Sequence, residues 1–213
     1  MTRIFYTDIP FPRNETGFNT YLDKLPQSLK NKVLKFRRWQ DAYASLFGKL
    51  LLKTALLDCG FSSFTFDDLQ YTSFNRPFIE GSIDFNLSHS DAFIVCALSN
   101  EGKVGVDIEE VKSINLEHFE SQFTINEWLN ITGAIDPYRE FYNCWTKKEA
   151  ILKASGEGLN IPLEQVQLFD DYGVLNKNKW YIKEYHLANN YSVHLASETI
   201  INPEMVPERI DFP

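Results

Sequence analysis

Apolar residues recur at helical spacing over residues 39–57, where Trp39, Tyr43, Leu46, Phe47, Leu50, Leu51 and Leu57 are followed by the stop signal Gly60. The spacing predicts a core helix. The period then shortens. Residues 64–71 read as a short strand, and Phe74, Asn75, Arg76 and Pro77 as a loop that the proline keeps extended. Ile83, Phe85 and Leu87 alternate with Asp84, Asn86 and Ser88, Ser90 and Asp91 bring turn chemistry, and residues 93–98 return as the second arm of a hairpin. Val104, Val106 and Ile108 alternate with Gly105, Asp107 and Glu109 in the manner of a half-buried strand. Residues 110–136 are less regular, with Phe119, Phe123, Trp128 and Leu129 among polar residues. A second helix starts near Tyr138, turns Trp145 and Leu152 inward, and ends at Gly156 and Gly158. Strands are expected at residues 165–169, 180–185 and 191–196, and the tail from Ile200, with Pro203, Pro207 and Pro213, reads as an extended arm.

Helix, glycine, strand and hairpin thus occur twice, over residues 39–98 and 138–196, and residues 163–169 faintly echo residues 67–71. The expected division is an N-terminal half, 1–103, a C-terminal half, 104–199, and an arm, 200–213. At 213 residues, 44% hydrophobic and 15% aromatic, the chain can bury a sizeable core as one domain or two small halves. Its longest uninterrupted apolar runs, such as residues 93–98, are far short of a membrane span, and the N-terminus lacks a long apolar stretch. A soluble, cytoplasmic, monomeric protein with no membrane partner is expected. Cys59, Cys96 and Cys144 are few and widely spaced, which argues against a disulfide framework or a cysteine zinc site. A net charge of −8 disfavours nucleic acid as a partner. Yet Lys24, Lys30, Lys32, Lys35, Arg37, Arg38, Lys49 and Lys53 face only Asp41 in that stretch. Such a patch suits a small polyanion, or is simply a solvated helix face.

Candidate chemistry falls on the last predicted helix and the strand before it. Lys148 and Glu149 are placed on a face shared with Lys153, so that a carboxylate and two ammonium groups can converge on one ligand. An ordinary exposed pair, contributing about 0.2–0.5 kcal/mol, has the same spacing. Asp107 and Glu109 share one strand face with Cα atoms about 7 Å apart, and repel unless water or a cation intervenes. With Glu149 they would complete a hard-cation site, since magnesium takes oxygen ligands and leaves room for substrate phosphates. A solvated edge strand would show the same Asp-x-Glu spacing. His89 ends the first arm of the hairpin. Gly156-Glu157-Gly158 is no phosphate loop, and neither Walker nor Rossmann spacing occurs.

Taken together, FNLSHSDAFIVCAL from Phe85, GVDIEEV from Gly105 and WTKKEAILKASGEGL from Trp145 resemble, in order and spacing, the motifs of the 4'-phosphopantetheinyl transferases. The likeness is to the larger type that activates peptide and polyketide synthetases, and a looser similarity reaches back to about Phe36. It implies an α+β fold of two similar α/β halves related by a pseudo-twofold axis, with the active site at their interface. It also implies transfer of 4'-phosphopantetheine from coenzyme A to a serine of an acyl or peptidyl carrier protein, with magnesium, releasing 3',5'-ADP. On this likeness Asp107, Glu109 and Glu149 hold the metal, and His89, with Ser88 beside it, contacts the diphosphate. Lys148 and Lys153 bind coenzyme A, and Lys153 neutralises or protonates the leaving phosphate. Glu149 is the first choice of base for the serine proton and Glu127, in FTINE, the second. Arg76 and Pro77 lie along the nucleotide. Asp41, Ala42, Tyr43, Ala44 and Ser45 resemble a family element that usually has arginine where this chain has Ala44. Lys30, Lys32, Lys35, Arg37 and Arg38 are then the substitutes for a lost 3'-phosphate contact. A magnesium-dependent hydrolase of nucleotide diphosphates and a non-catalytic coenzyme A-binding homologue remain as alternatives.

Overall fold

The computed structural model describes residues 1–9, 15–158 and 161–212, so Leu159 of the last motif and Pro213 of the tail lie outside the described residues. In chain order the elements begin β1 (Thr2–Asp8), α1 (Glu15–Leu22), α2 (Gln27–Val33), α3 (Trp39–Asp58), β2 (Leu69–Tyr71) and β3 (Pro77–Ile79). They continue with β4 (Asp84–Ser90), β5 (Phe93–Ser99), β6 (Val104–Glu110), α4 (Ile125–Gly133) and α5 (Pro137–Ser155). The last are β7 (Gln167–Leu168), β8 (Tyr172–Leu175), β9 (Asn178–Tyr185), β10 (Tyr191–Ser197) and β11 (Glu208–Arg209). The fold is mixed α+β. One sheet has the order β11-β1-β5-β4, a second β6-β10-β9-β8-β7, and β2 and β3 form a small ribbon.

Alternation along β5 explains the layering. Ile94, Cys96 and Leu98 face α3 and join the core around Leu46, Phe47, Leu51 and Leu56. Val95 and Ala97, on the other face, meet Val104, Val106 and Ile108 of β6 and Val193 and Leu195 of β10. Ala150, Ile151 and Ala154 of α5 then cover the far side of the second sheet. The molecule is therefore layered helix, sheet, sheet, helix. β6, expected to be half-buried, is buried on both faces from Val104 to Ile108, which places the Asp107 carboxylate under α5.

Polar side chains of β4, in place of a backbone ladder, join the two sheets at β4 and β6. Asp84 accepts from the Val104 amide at 2.8 Å, and Asn86 from Val106 at 2.9 Å. Ser88 donates to Asp107 at 2.8 Å, and Ser90 to Glu109 at 2.9 Å while accepting from the Glu110 amide. Ser90, expected in a turn, is the last residue of β4, and the turn passes to Asp91, with φ of 45°.

Several expectations change. Residues 64–71 are a 3-10 turn at Phe66–Asp68 followed by a three-residue strand, because Thr65 and Asp68 form a capping box. Residues 110–136 are not irregular: a 3-10 segment, Leu116–Gln122, leads into α4, capped reciprocally by Thr124 and Glu127. The strand expected at 165–169 is only Gln167–Leu168, after a 3-10 turn at Leu163–Gln165. The tail returns to the first sheet, where β11 pairs in parallel with β1. All three cysteines are free, two of them buried. No described helix is long and apolar enough to cross a membrane.

Candidate active site

α5 carries the last motif and is fixed at both ends. Asp136 accepts from the Arg139 amide, Pro137 opens the first turn, and Gly156 closes the helix with φ of 80°, a left-handed conformation that glycine adopts without strain. Its approach to β6 depends on Gly105, where a Cβ would lie 2.1 Å from the Ala150 carbonyl oxygen and 2.4 Å from the Ala154 nitrogen. That close seating brings Glu149 and Lys153 over Asp107.

The result is an open cleft of about 440 Å³ lined by Leu87, Ser88, His89, Asp107, Glu109, Trp145, Glu149 and Lys153. Lys153 Nζ donates to Asp107 Oδ1 at 2.5 Å and to Ser88 Oγ at 2.9 Å. Asp107 Oδ2 is buried without a hydrogen-bond partner. Burial, then the neighbouring Asp107, pushes the Glu149 carboxyl up to about 7, and the same causes raise Glu109. His89 is lowered, first by desolvation in the cleft and then by the Lys153 ammonium; Asp41 of α3 and Asp107 oppose the shift. A hollow of about 420 Å³ beside Phe18 and Trp39 and another of about 490 Å³ beside Phe61 and Asp67 gather no comparable set of groups.

Six of the residues singled out in the sequence, Ser88, His89, Asp107, Glu109, Glu149 and Lys153, meet in this cleft. Lys148 does not share their face. Its completely buried ammonium donates to the Leu163 and Val166 carbonyls at 3.1 and 2.9 Å and pairs with Glu127 at 2.9 Å. Glu127 also accepts from the amide and hydroxyl of Thr124, so this carboxylate and Lys148 brace α4, α5 and the following turn. Arg76 is likewise held inside the protein, donating to the Ala154 carbonyl at 3.0 Å, Asp84 at 2.6 Å and the Val104 carbonyl at 3.0 Å. Pro77 opens β3. Among the basic residues, Lys30 pairs with Asp23 at 2.8 Å, Lys32 lies over the Tyr71 ring, and Lys35, Arg37 and Arg38 are exposed.

Ala44 is buried in the α3 core, so an arginine introduced there would have to force a charge among apolar side chains. Lys49, counted in the basic stretch but given no partner there, donates to Ser45 and is pushed down to about 8 by burial and then by Lys32. Its four-residue spacing from Ser45 was the available signal. Sequence reasoning likewise gave Asn86 no role and put Ser90 in a turn, although the alternation Asp84, Asn86, Ser88, Ser90 marks one face of β4.

Fold and cleft together are those of an α+β protein whose reactive groups are buried carboxylates, a lysine and a histidine. Residues 103–201 match the 4'-phosphopantetheinyl transferase superfamily, and residues 12–101 match the family described as 4'-phosphopantetheinyl transferase, N-terminal. The 4'-phosphopantetheinyl transferase gsp of Aneurinibacillus migulanus is 32% identical over 168 residues, covering 76% of this chain and 69% of its own. The 4'-phosphopantetheinyl transferase Sfp of Bacillus subtilis (strain 168) is 27% identical over 206 residues, covering 90% and 89%. An L-aminoadipate-semialdehyde dehydrogenase-phosphopantetheinyl transferase of Xenopus laevis is 29% identical over 155 residues, covering 65% and 51%. The chain belongs to the 4'-phosphopantetheinyl transferase family.

Proposed function

We propose that this enzyme transfers 4'-phosphopantetheine from coenzyme A to a serine hydroxyl of an acyl or peptidyl carrier protein, releasing 3',5'-ADP. The observation that carries this reading is the convergence in one cleft of groups from three separate motifs: Ser88 and His89, Asp107 and Glu109, Glu149 and Lys153. The two matched segments, 12–101 and 103–201, support a division into N-terminal and C-terminal α/β halves, with α3 and α5 as their respective helices. A pseudo-twofold relation between those halves is part of the proposal.

Asp107, Glu109 and Glu149 are the residues that would hold magnesium. The donor set fits: all are hard oxygen ligands, burial and then the neighbouring Asp107 raise both Glu109 and Glu149, and the Asp107 carboxylate lines the same cleft. Among the described residues no group of three such side chains is yet arranged as a metal site; Lys153 occupies Asp107 Oδ1, so binding would require it to turn towards the substrate. When bound, magnesium stabilises the charge that develops as the diphosphate breaks. Glu149 is the residue that would take the serine proton, on a carboxylate oxygen not engaged by the metal. Lys153 then neutralises the departing phosphate, and His89 with Ser88 positions the diphosphate. Glu127, already engaged by Lys148 and Thr124, is not needed as a base.

Incubation with coenzyme A, magnesium and a panel of apo carrier proteins, read by intact mass, tests the reading. A carrier gaining the phosphopantetheine mass, and a folded Asp107→Ala variant that adds none, are expected. Cleavage of coenzyme A without carrier modification would point to the hydrolase, and binding without cleavage to a non-catalytic homologue. Parental activity in Asp107→Ala would remove the metal assignment.

A further inference from the structure

Behind the cleft, α5 covers polar groups that the transfer chemistry leaves unused. His194 of β10 is completely buried, with Nδ1 2.7 Å from Thr146 Oγ1. Thr146 Oγ1 is also 2.9 Å from Ser192 Oγ, which donates to Asn143 Oδ1 at 2.9 Å. The other ring nitrogen, Nε2, is buried with no hydrogen-bond partner. In the ladder between β10 and β6, His194 stands directly opposite Asp107. Opposed residues share a sheet face with Cβ atoms about 4.5–5.5 Å apart. Asp107 has an orphan of its own, Oδ2, since Ser88 and Lys153 both engage Oδ1. Two unpaired buried polar atoms on facing side chains demand a physical explanation.

Counting hydrogens supplies one. A carboxylate oxygen can only accept. The single hydroxyl hydrogen of Thr146 has three acceptors in reach, the Tyr142 carbonyl at 2.7 Å, Ser192 Oγ at 2.9 Å and His194 Nδ1 at 2.7 Å. Given to either of the first two, it leaves Nδ1 to carry the ring hydrogen and sets a bare Nε2 lone pair opposite the Asp107 carboxylate, acceptor against acceptor. Given to Nδ1, the hydrogen fixes the ring as a neutral imidazole protonated on Nε2. Burial keeps it neutral, holding its pKa down to about 3. A donor then faces an acceptor across the ladder.

We infer that His194 is a positioning residue for Asp107, its Nε2–H serving as the hydrogen-bond donor to Oδ2 and leaving Oδ1 for the cleft. The two atoms are not in direct hydrogen-bond contact in this structure, so a modest turn of the carboxyl or one bridging water closes the link. The consequence for catalysis rests on the proposed metal role of Asp107; the link itself does not.

Long-range nitrogen–proton NMR of the metal-free full chain with labelled histidine tests the link. The Nε2–H tautomer is expected at His194, with that nitrogen shifting on Asp107→Asn. An Nδ1–H tautomer, or a resonance indifferent to Asp107→Asn, overturns the inference. Manganese binding in the presence of coenzyme A, followed by EPR, tests the consequence. His194→Leu is expected to weaken manganese roughly tenfold, as loss of an outer-shell partner does, with the KM for coenzyme A unchanged. His194→Gln, which keeps an N–H near the Nε2 position, should recover most of the affinity. Full affinity in a folded His194→Leu protein, or an equal loss in both variants, overturns it. If the parent itself binds no manganese, the metal assignment fails while the tautomer still decides the link.

Discussion

Glu149 titrates near pH 7 because burial and Asp107 both oppose its ionisation, and this ties the candidate base to stability. Its folded pKa lies above the ordinary 4.5, so the folded state holds the proton more tightly than the unfolded chain does. The stability this contributes is complete below about pH 4.5 and is lost as pH rises through about 7. Metal-free Glu149→Gln should therefore melt higher than the metal-free parent at pH 8, and with magnesium added it should be inactive. A gain on the order of 2 kcal/mol corresponds to roughly 4–8 °C, and the two proteins should converge near pH 5. Calorimetry showing equal melting temperatures at pH 8 would sink the argument. Lys148 and Lys153 of the same helix should part company. Lys148→Met strands the Glu127 carboxylate and two carbonyls, at about 3–5 kcal/mol of stability, whereas Lys153→Met should be read mainly in single-turnover transfer, slowed by at least about a hundredfold. The reverse pattern in denaturation and rate measurements would exchange their roles. Sequence spacing placed both lysines on one face, but five residues of helix turn through about 140° beyond a full circle. Glu149 and Lys153, four apart, do align. Lys148 instead finds its partners on a turn and on α4, elements that residue spacing within α5 could not reveal.

At the scale of elements, the seat of α5 on Gly105 is the most sensitive contact. Gly105→Ala puts a methyl group against the Ala150 and Ala154 backbone, and should cost about 3 kcal/mol or more. Because Glu149 and Lys153 move with the helix, transfer should fall even where the protein stays folded; a variant unchanged in both melting and rate would show that the helix can lift without consequence. α4 has the opposite character. Phe123 is buried, Phe119 packs against Phe141 and Trp145, and Trp128 stacks on Phe123, but Ile125 and Leu129, one turn apart, are 80% and 63% exposed. They are the members of this aromatic region free to anchor a carrier protein. Against a carrier as acidic as this chain, such contacts must do what long-range attraction cannot. Leu129→Asp and Ile125→Asp should raise the KM for carrier several-fold and leave that for coenzyme A unchanged; equal effects on both constants would move docking elsewhere. α3, α5 and the run from β4 to β6 were legible because each carries an unbroken period of its own kind. α4 was not, because its outward apolar residues blur the amphipathic signal, and β1 was passed over because Arg3, Thr7 and Asp8 interrupt a short apolar run at the chain's start.

For the whole molecule, the informative contacts are those between distant segments. The sequence shows Asp84, Asn86, Ser88 and Ser90 as the polar half of a strand, yet nothing local says that this half grips β6. Arg76 looked like a loop residue bound for ligand, and its guanidinium instead joins Asp84, the β6 backbone and the end of α5. Such ties depend on which edges the packed layers bring together. One tie also has a consequence in time. β11 lies in parallel beside β1, and Phe212 packs on Tyr21 and Phe47. Synthesis proceeds from the amino end, so β1, whose Phe5 pairs with Glu208, leaves the ribosome well before its outer neighbour. In that interval one edge of the first sheet stays open, the condition under which strands pair with the wrong chain, and an aromatic patch above it stays uncovered. The segment that shuts both is made only after every group of the cleft has emerged.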